Sequence, residues 1–204
     1  QHDVFFYITM MNENYAQPTL PASAHADVIK GLYRWDTSTN PGALRLLGSG
    51  AILREVIAAR QLLADDWQID AEVWSATSFS ELAREAHECE RWNRLNPDQA
   101  PRTSHLAQCL PGGAPIVAAS DSVRAWPQLI ATQLGAPFTV LGTDGFGRSD
   151  TRAALRRFFE VDRHQIVLAA LTALAGRSAI DAGLCARAIA RYGLAADADA
   201  PWNV

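Results

Sequence analysis

Four residues in the middle of the chain are of the types that bind zinc: His87, Cys89, His105 and Cys109. Imidazole and thiolate groups are the usual ligands of structural zinc. Their spacing is His-x-Cys, a gap of fifteen residues and then His-x-x-x-Cys, which matches no common zinc pattern. His87 and Cys89 also point about 200° apart on a helix, so the two cannot bind one ion together. The sequence therefore predicts no metal site.

A glycine turn near residue 48 has the outline of a phosphate-binding loop. Gly48 and Gly50 follow the apolar pair Leu46-Leu47 and precede a helical pattern, and free N–H groups at the start of a helix can bind phosphate. However, Leu53 stands where a dinucleotide fingerprint has its third glycine. The turn is therefore interpreted either as a tight connection between a strand and a helix or as an anion site.

A second glycine-rich stretch, Gly142–Asp150, contains three glycines in six residues. Glycine permits positive φ angles, and Ser149 or Asp150 can cap a following helix. Arg148, beside exposed N–H groups, could hold an anion. The alternative interpretation is a sharp reversal from strand to helix, held in place by Phe146.

No motif for nucleophilic catalysis or nucleotide hydrolysis is present. The chain lacks G-x-S-x-G, and Lys30 is its only lysine, which excludes a P-loop. Glu88 and Glu90 lie on different faces of a predicted helix, so paired-carboxylate chemistry has no support. We therefore predict no catalytic residue.

Composition limits the class of protein. The chain has 204 residues, 49% of them hydrophobic and 20% charged, and a formal net charge of −4, which fits one large or two small soluble globular domains. No apolar run approaches the ~20 residues that span a bilayer. A sequence pI of about 5.7 disfavours nonspecific binding of nucleic acid. Three scattered cysteines do not form a disulfide framework, which favours a reducing, cytoplasmic location.

The elements alternate between strands and helices. Predicted strands cover Val4–Met11, Ile29–Trp35 (or a helix-to-strand transition), Leu44–Leu47, Glu72–Ala76, Ile116–Ala119 and Phe138–Leu141. Predicted helices cover 52–63, 78–95, 121–134, 151–159, 163–175 and 181–192. The first has Ile52, Val56, Ala59 and Leu63 on one face, the second opens with a Ser78/Glu81 capping box, and Asp121 caps the third. Asp162 and Asp181 are the predicted N-caps of the last two helices, and Gly176 and Gly193 are their C-terminal glycines. This alternation predicts a three-layer α/β fold, with a mostly parallel sheet, helices on both faces and a helical C-terminal end.

Positive charge is concentrated in the last third of the chain. Residues 148–191 contain eight arginines and four acidic residues. This face is interpreted as a solvated helix surface or, through Arg152, Arg156 and Arg157, as a docking surface for an acidic partner or another subunit.

Several segments together resemble one family. They are Phe6–Tyr15 (FYITMMNENY), Leu46–Gly50 (LLGSG), Thr77–Phe79 (TSF), Cys89–Asn93 (CERWN) and Leu141–Asp150 (LGTDGFGRSD). In this order they resemble the C-terminal part of the homodimeric pyruvate dehydrogenase decarboxylating component, a member of the transketolase-like, thiamine-diphosphate-dependent superfamily. The resemblance covers essentially the whole chain.

The resemblance implies a mixed sheet with one antiparallel edge strand, and a role in supporting a dimer. The whole enzyme of that family decarboxylates pyruvate on thiamine diphosphate with Mg²⁺ and acetylates a lipoyl group of an acyltransferase core. The superfamily's G-D-G and N-N motif is absent here, so no catalytic, cofactor-binding or metal-binding residue is carried over. The implied partners are the rest of the same chain, a second subunit and the acyltransferase core.

The same resemblance divides the chain. Residues 1–20 are expected to be the last strand and exit of a preceding domain, 28–194 the C-terminal domain and 195–204 a loose tail. The turns expected to lie nearest to function are, by position, Asn12, Glu13, Asn14, Tyr15, Asp144, Gly145, Gly147 and Arg148. A second hypothesis remains open, in which the chain is an autonomous domain that binds an anion or a nucleotide through the glycine turns 48–50 and 142–147.

Overall fold

The computed structural model describes residues 3, 5, 6, 8, 14, 15, 19, 20, 22–40 and 42–204. The strands described are β1 Leu32–Asp36, β2 Arg45–Gly48, β3 Glu72–Ala76, β4 Ile116–Ala119 and β5 Phe138–Leu141. The helices described are α1 His25–Lys30, α2 Leu53–Trp67, α3 Phe79–Leu95, α4 His105–Cys109, α5 Ala125–Gln128, α6 Arg152–Phe158, α7 Arg163–Ala175 and α8 Gly183–Tyr192. Short 3₁₀ turns cover Ala22–Ala24, Gly50–Ile52, Ala131–Gln133 and Pro201–Asn203.

The described strands form one mixed sheet in the order β1-β3-β2-β4-β5. Strands β3, β2, β4 and β5 are parallel, with Leu46 opposite Val73 on one side and Val117 on the other. Strand β1 is antiparallel to β3 at the edge of the sheet. This arrangement confirms the predicted fold class, including its antiparallel edge strand.

Helices cover both faces of the sheet because the strands bury side chains on both sides. On one face, Leu46, Val73 and Val117 pack with α2, α7 and α8. On the other face, Leu47, Trp74 and Ile116 pack with α3 and α4. Near-continuous apolar strands are the pattern expected when a parallel sheet is buried on both faces.

Local sequence signals account for several helix starts. The Ser78 side chain accepts a hydrogen bond from the Glu81 N–H and opens α3, and Asp162 accepts from the His164 and Gln165 N–H groups at α7. Both residues cap as predicted. The predicted apolar face of α2, from Ile52 to Leu63, is buried. Gly193 ends α8 with a φ of 59°, which is the left-handed conformation that a C-terminal glycine supplies.

The helix predicted over 121–134 is wrong. Asp121 does not open a helix, because its carbonyl accepts from the Thr143 hydroxyl and the Ser122 carbonyl accepts from the Thr143 N–H. These carbonyls are therefore unavailable as the first acceptors of a helix, and α5 covers only Ala125–Gln128. Helix α7 ends before Gly176 as predicted, but Gly176 keeps a right-handed φ of −60°, and the left-handed residue of this turn is Ser178. Helix α4 was not predicted.

The amino end of the parallel strands is closed by a buried ion pair. Arg45 Nε donates to Glu72 Oε2 over 2.9 Å, and Arg45 Nη2 donates to the Pro111 carbonyl over 2.8 Å. The Trp74 indole N–H also points at Glu72, over 3.5 Å. Arg45 and Glu72 are the first residues of β2 and β3, so this pair ties neighbouring strands together where the sheet begins.

The structure describes little of the strand predicted near residue 4 but all of the segment 195–204. Most of the strand predicted over Val4–Met11 lies outside the described residues, and the described Phe5, Phe6 and Ile8 are exposed and outside any strand. The assignment of this segment to a preceding domain stays a prediction. Residues 195–204, predicted to be loose, contain a 3₁₀ turn in which Pro201 is buried. Among the described residues, no helix combines the length and apolar character that crossing a membrane requires.

Candidate functional site

The carboxyl ends of the parallel strands meet where the chain connections change direction. From β2 the chain passes to β3 on one side of the sheet, whereas β4 lies on the other side of β2. The Ser49 N–H donates to the Ala119 carbonyl over 3.1 Å, so the turns after β2 and β4 are adjacent. In open α/β sheets, a crevice forms at such a reversal of strand order.

A cavity of about 280 Å³ lies at this edge, and we call it the carboxyl-edge cavity. Its apolar lining includes Ile52, Leu155, Phe159 and Val161. Its polar lining is dominated by cations and consists of Asp121, Thr143, Arg148, Arg152 and Arg156. The cavity thus combines an apolar wall with an arginine-rich rim.

The turn 48–50 is a close contact between a strand and a helix. A Cβ atom on Gly48 would lie 2.6 Å from the Leu53 Cα atom, so a side chain cannot fit there. Gly50 has a φ of 55° and opens the 3₁₀ turn that leads into α2. The geometry matches the tight connection that was one of the two interpretations of this turn.

The loop Gly142–Asp150 is held by contacts other than the one predicted. Phe146 is 80% exposed, so the prediction that it pins the reversal is wrong. Instead, Asp144 accepts from Arg124 Nε over 2.5 Å, and Arg148 lies over the Phe158 ring at 4.1 Å. Phe146 is exposed because the loop that follows β5 lies outside the hydrophobic core.

Helix α6 is capped by Thr151, not by Ser149 or Asp150. The Thr151 hydroxyl accepts from the Ala154 N–H over 3.3 Å, and Asp150 accepts from the Thr151 N–H over 2.6 Å. The cap therefore falls one residue later than predicted, and it directs α6 past the carboxyl-edge cavity.

A buried carboxylate that sequence reasoning missed lies beside the cavity. Glu55 accepts from Arg163 through Nε, Nη2 and the backbone N–H over 2.9 to 3.1 Å, and from Arg156 Nη1 over 3.1 Å. Burial alone would raise the pKa of Glu55, but the hydrogen bonds and charges of the two arginines outweigh it and hold the pKa below its ordinary value. The sequence did contain a signal for this residue, because Glu55 lies one helical turn from Ile52 and Ala59 and therefore on the predicted buried face of α2.

The structure brings three of the predicted arginines to one place. Arg148, Arg152 and Arg156 all line the carboxyl-edge cavity. Arg157 is not among the residues that line this cavity, and it donates to the Gly193 carbonyl over 3.1 Å. Of the proposed docking set, Arg152 and Arg156 are therefore neighbours at the cavity, whereas Arg157 is directed at the end of α8.

The turn predicted over Asn12–Tyr15 is only partly described. Asn12 and Glu13 lie outside the described residues, and Asn14 is exposed. Tyr15 packs under the Arg54 guanidinium, 4.1 Å from its ring centroid, and its hydroxyl lies 3.5 Å from Arg156 Nη2. Tyr15 is therefore linked to Glu55 through Arg156.

The histidine and cysteine residues have structural partners. His105 is buried, with Nε2 2.8 Å from the Leu32 carbonyl, and Cys109 Sγ lies 3.5 Å from the same ring nitrogen. Burial raises the pKa of Cys109 to about 11, which disfavours its thiolate form. In the part of the chain that the structure describes, no three His, Cys, Asp or Glu residues are grouped as a metal site.

Comparison with known proteins gives a family match and close relatives. The model of the transketolase-like TK C-terminal domain matches residues 31–162. The pyruvate dehydrogenase E1 component of Cupriavidus necator is 47% identical over 208 aligned positions, covering 100% of this chain and 23% of that protein. The E1 component of Pseudomonas aeruginosa is 50% identical, covering 95% and 22%. The chain thus spans less than a quarter of the length of these curated relatives.

Solved structures show the same fold at low sequence identity. A transketolase from Pichia stipitis superposes with a TM-score of 0.54 at 18% identity, covering 79% of this chain and 20% of that one. A transketolase from Leishmania mexicana gives a TM-score of 0.51 at 18% identity, covering 74% and 19%.

Proposed function

Since the chain belongs to the transketolase-like C-terminal domain family, we propose that it is the C-terminal domain of a pyruvate dehydrogenase E1 component. The observation that carries the proposal is identity of 47% along the whole chain to a relative of that name. The proposed role of this domain is architectural, and the alternative of an autonomous anion- or nucleotide-binding domain is not favoured.

The proposed activity belongs to the longer polypeptide. That enzyme is an oxidoreductase that decarboxylates pyruvate with thiamine diphosphate and Mg²⁺ and transfers the acetyl group to a lipoyl group. Thiamine diphosphate supplies the carbanion chemistry when it is bound. In this proposal, the part of the polypeptide outside the present chain holds the cofactor.

The carboxyl-edge cavity does not fit a Mg²⁺ site. Mg²⁺ prefers carboxylate and other oxygen ligands, whereas the carboxyl-edge cavity is lined by Arg148, Arg152 and Arg156 and, among described acidic residues, by Asp121 alone. Three guanidinium groups oppose the binding of a divalent cation. We therefore assign no step of the reaction to this domain.

The proposed partners are a second subunit and the lipoyl acyltransferase core. Arg156 is left unchanged in the test, because its substitution would also remove the ion pair with Glu55, and Arg152 and Arg157 are substituted. Substituting both with Gln should weaken co-sedimentation with the core about tenfold, since each removes a positive charge. Arg91→Gln with Arg94→Gln, two exposed positions of α3, is the control. Equal binding by both double variants would exclude this docking surface.

We further propose that the protein works in the cytoplasm. All three cysteines, Cys89, Cys109 and Cys185, are free, which is the usual state of thiols in a reducing compartment.

The first experiment is an assay of the natural polypeptide that carries this sequence. We expect it to release CO₂ from pyruvate in the presence of thiamine diphosphate, Mg²⁺ and an artificial electron acceptor, and not when thiamine diphosphate is omitted. A version that lacks residues 22–204 should lose the dimer in sedimentation. A natural polypeptide without pyruvate-dependent CO₂ release would contradict the proposed activity, and an unchanged dimer would contradict the architectural role.

A further inference from the structure

The 3₁₀ turn Pro201–Asn203 packs against the loop that borders the carboxyl-edge cavity. Pro201 is buried, and the Trp202 ring lies under the Arg124 guanidinium at 4.3 Å. Arg124 Nε also donates to Asp144 over 2.5 Å. One side chain of α5's N-terminus therefore joins the end of the chain to the loop after β5.

The same turn and loop also touch through their backbones. A Cβ atom on Gly145 would lie 2.8 Å from the Pro201 carbonyl oxygen and 2.9 Å from the Trp202 Cα atom. Gly145 has a φ of 107°, where glycine has no steric penalty. The close approach leaves no room for a side chain, so Gly145 is a point of direct contact between the two segments.

Apart from the side-chain contacts of Asp144 with Arg124 and of Arg148 with the Phe158 ring, the loop is anchored mainly at its first residues. Thr143 is fixed by its bonds to Ser122 and Asp121. From Asp144 to Thr151, no described backbone N–H donates to another backbone group in the residues that the structure covers. Yet Gly145, Phe146, Gly147 and Arg148 all line the cavity. Segments with few buried contacts and few backbone hydrogen bonds open most easily.

We propose that the Pro201–Asn203 turn is a strap that holds the 144–148 part of the loop in place and thereby sets the width of the carboxyl-edge cavity. When the strap is released, the loop loses its backbone contact at Gly145, and Arg124, which binds Asp144, loses its contact with Trp202. The part of the rim formed by Gly145 and Phe146 then moves away from the cavity wall. The strap thus couples residues 201–203 to the shape of the cavity, independently of the activity proposed above.

Hydrogen exchange of the natural polypeptide, read by mass spectrometry over residues 143–150, tests the strap directly. Trp202→Ala should accelerate exchange in this segment at least tenfold. Trp92→Ala is the matched control, because Arg102 lies over Trp92 at 4.2 Å in the same kind of contact on α3. Exchange that stays unchanged in Trp202→Ala, or that rises equally in both variants, would overturn the proposal. Protected amides in β2 and β4 verify folding in each variant.

Substitutions at Gly145 and Gly147, combined with removal of residues 200–204, separate the effect of the contact between Gly145 and the strap from the effect of backbone strain at Gly145. Gly145→Ala introduces both a clash with the strap and an unfavourable φ, whereas Gly147→Ala meets nothing within 4 Å. If the strap acts as proposed, Gly145→Ala accelerates exchange over 143–150 in the full chain. It adds much less in a chain that ends at Asp199, because only the strain remains there. Equal effects of Gly145→Ala with and without residues 200–204 would show that the contact does not hold the loop.

Discussion

The two ends of the sheet hold their buried charges in different ways. At the amino end, Arg45 and Glu72 form a single pair in which both side chains are only 6% exposed. At the carboxyl end, Glu55 is shared by Arg156 and Arg163, whose side chains are 17% and 44% exposed. The first cluster is neutral and sealed by the Pro111 carbonyl, whereas the second carries one surplus positive charge and is open to solvent.

This difference separates the part of the fold that supplies stability from the part that borders a cavity. A buried pair is rigid because each partner depends on the other for its solvation. A carboxylate between two partly solvated guanidinium groups keeps one charge partner if the other guanidinium group moves. The carboxyl end, with its glycine turns and strap, can therefore change shape more cheaply than the amino end.

The largest expected effect comes from breaking the amino-end pair. Glu72→Ala leaves the Arg45 guanidinium buried without its carboxylate, which should lower the free energy of unfolding by about 3–5 kcal/mol. Urea unfolding measures the change. Glu88→Ala is the control, since Glu88 pairs with Arg84 on the exposed face of α3, and it should leave the urea midpoint unchanged. If Glu72→Ala lowers the free energy of unfolding by less than about 1 kcal/mol, the ion pair at the amino end is accessible to solvent.

A double substitution sharpens the same point. Arg45→Met with Glu72→Leu removes both charges, and apolar replacements of a buried pair are often nearly neutral. The double variant should therefore recover most of the stability that Glu72→Ala loses. A double variant as unstable as the single one would mean that the packing around Pro111 and Trp74, and not the unpaired charge, causes the loss.

At the carboxyl end, Glu55→Ala should cost less, about 2–3 kcal/mol, because water can solvate Arg163. The pH dependence gives a second measurement. The two arginines lower the pKa of Glu55, so its contribution to stability is present above the ordinary pKa of a glutamate and is lost as the pH falls through the lower pKa of the folded state. The difference between wild type and variant should therefore shrink in acid. A constant difference down to pH 2 would contradict this assignment.

Sequence patterns predicted the elements whose identity depends on local apolar spacing. Glu72–Ala76, Ile116–Ala119 and Phe138–Leu141 were predicted with the bounds observed, since short apolar runs between turn residues have few other structures available. The caps Ser78 and Asp162 were found for the same reason, because the signal lies within four residues.

The sequence could not predict features that arise from distant contacts. The helix predicted from Asp121 fails because Thr143, about twenty residues away in sequence, takes the carbonyls it needs. The role of Gly145 depends on Pro201, and the role of Glu55 depends on Arg156 and Arg163. In each case the partner lies far away in the sequence, so the local spacing of residues cannot predict the contact. The predicted site residues accordingly included Arg156 but not Glu55, the carboxylate that pairs with it.

The smallest effect is expected at the solvated margin of the amino end, where the structure makes a sharper pH prediction. Asp70 accepts from the Thr39 N–H and hydroxyl over 2.7 and 3.0 Å and lies 3.1 Å from Arg60. Burial alone would raise its pKa, but these bonds, the Ala71 N–H and the charge of Arg60 lower the pKa of Asp70 to about 2.

Asp70→Asn keeps the shape of the side chain but removes this charge, which should cost about 1 kcal/mol at neutral pH after solvent screening. Because the folded-state pKa is below the ordinary value, the stabilisation is complete above about pH 4 and is lost as the pH falls toward 2. Urea midpoints of wild type and Asp70→Asn should therefore converge over that range. Asp98→Asn, at an exposed loop position, should show no such convergence. If both variants behave alike, the solvated margin contributes nothing and the stability of the amino end comes from Arg45 and Glu72 alone.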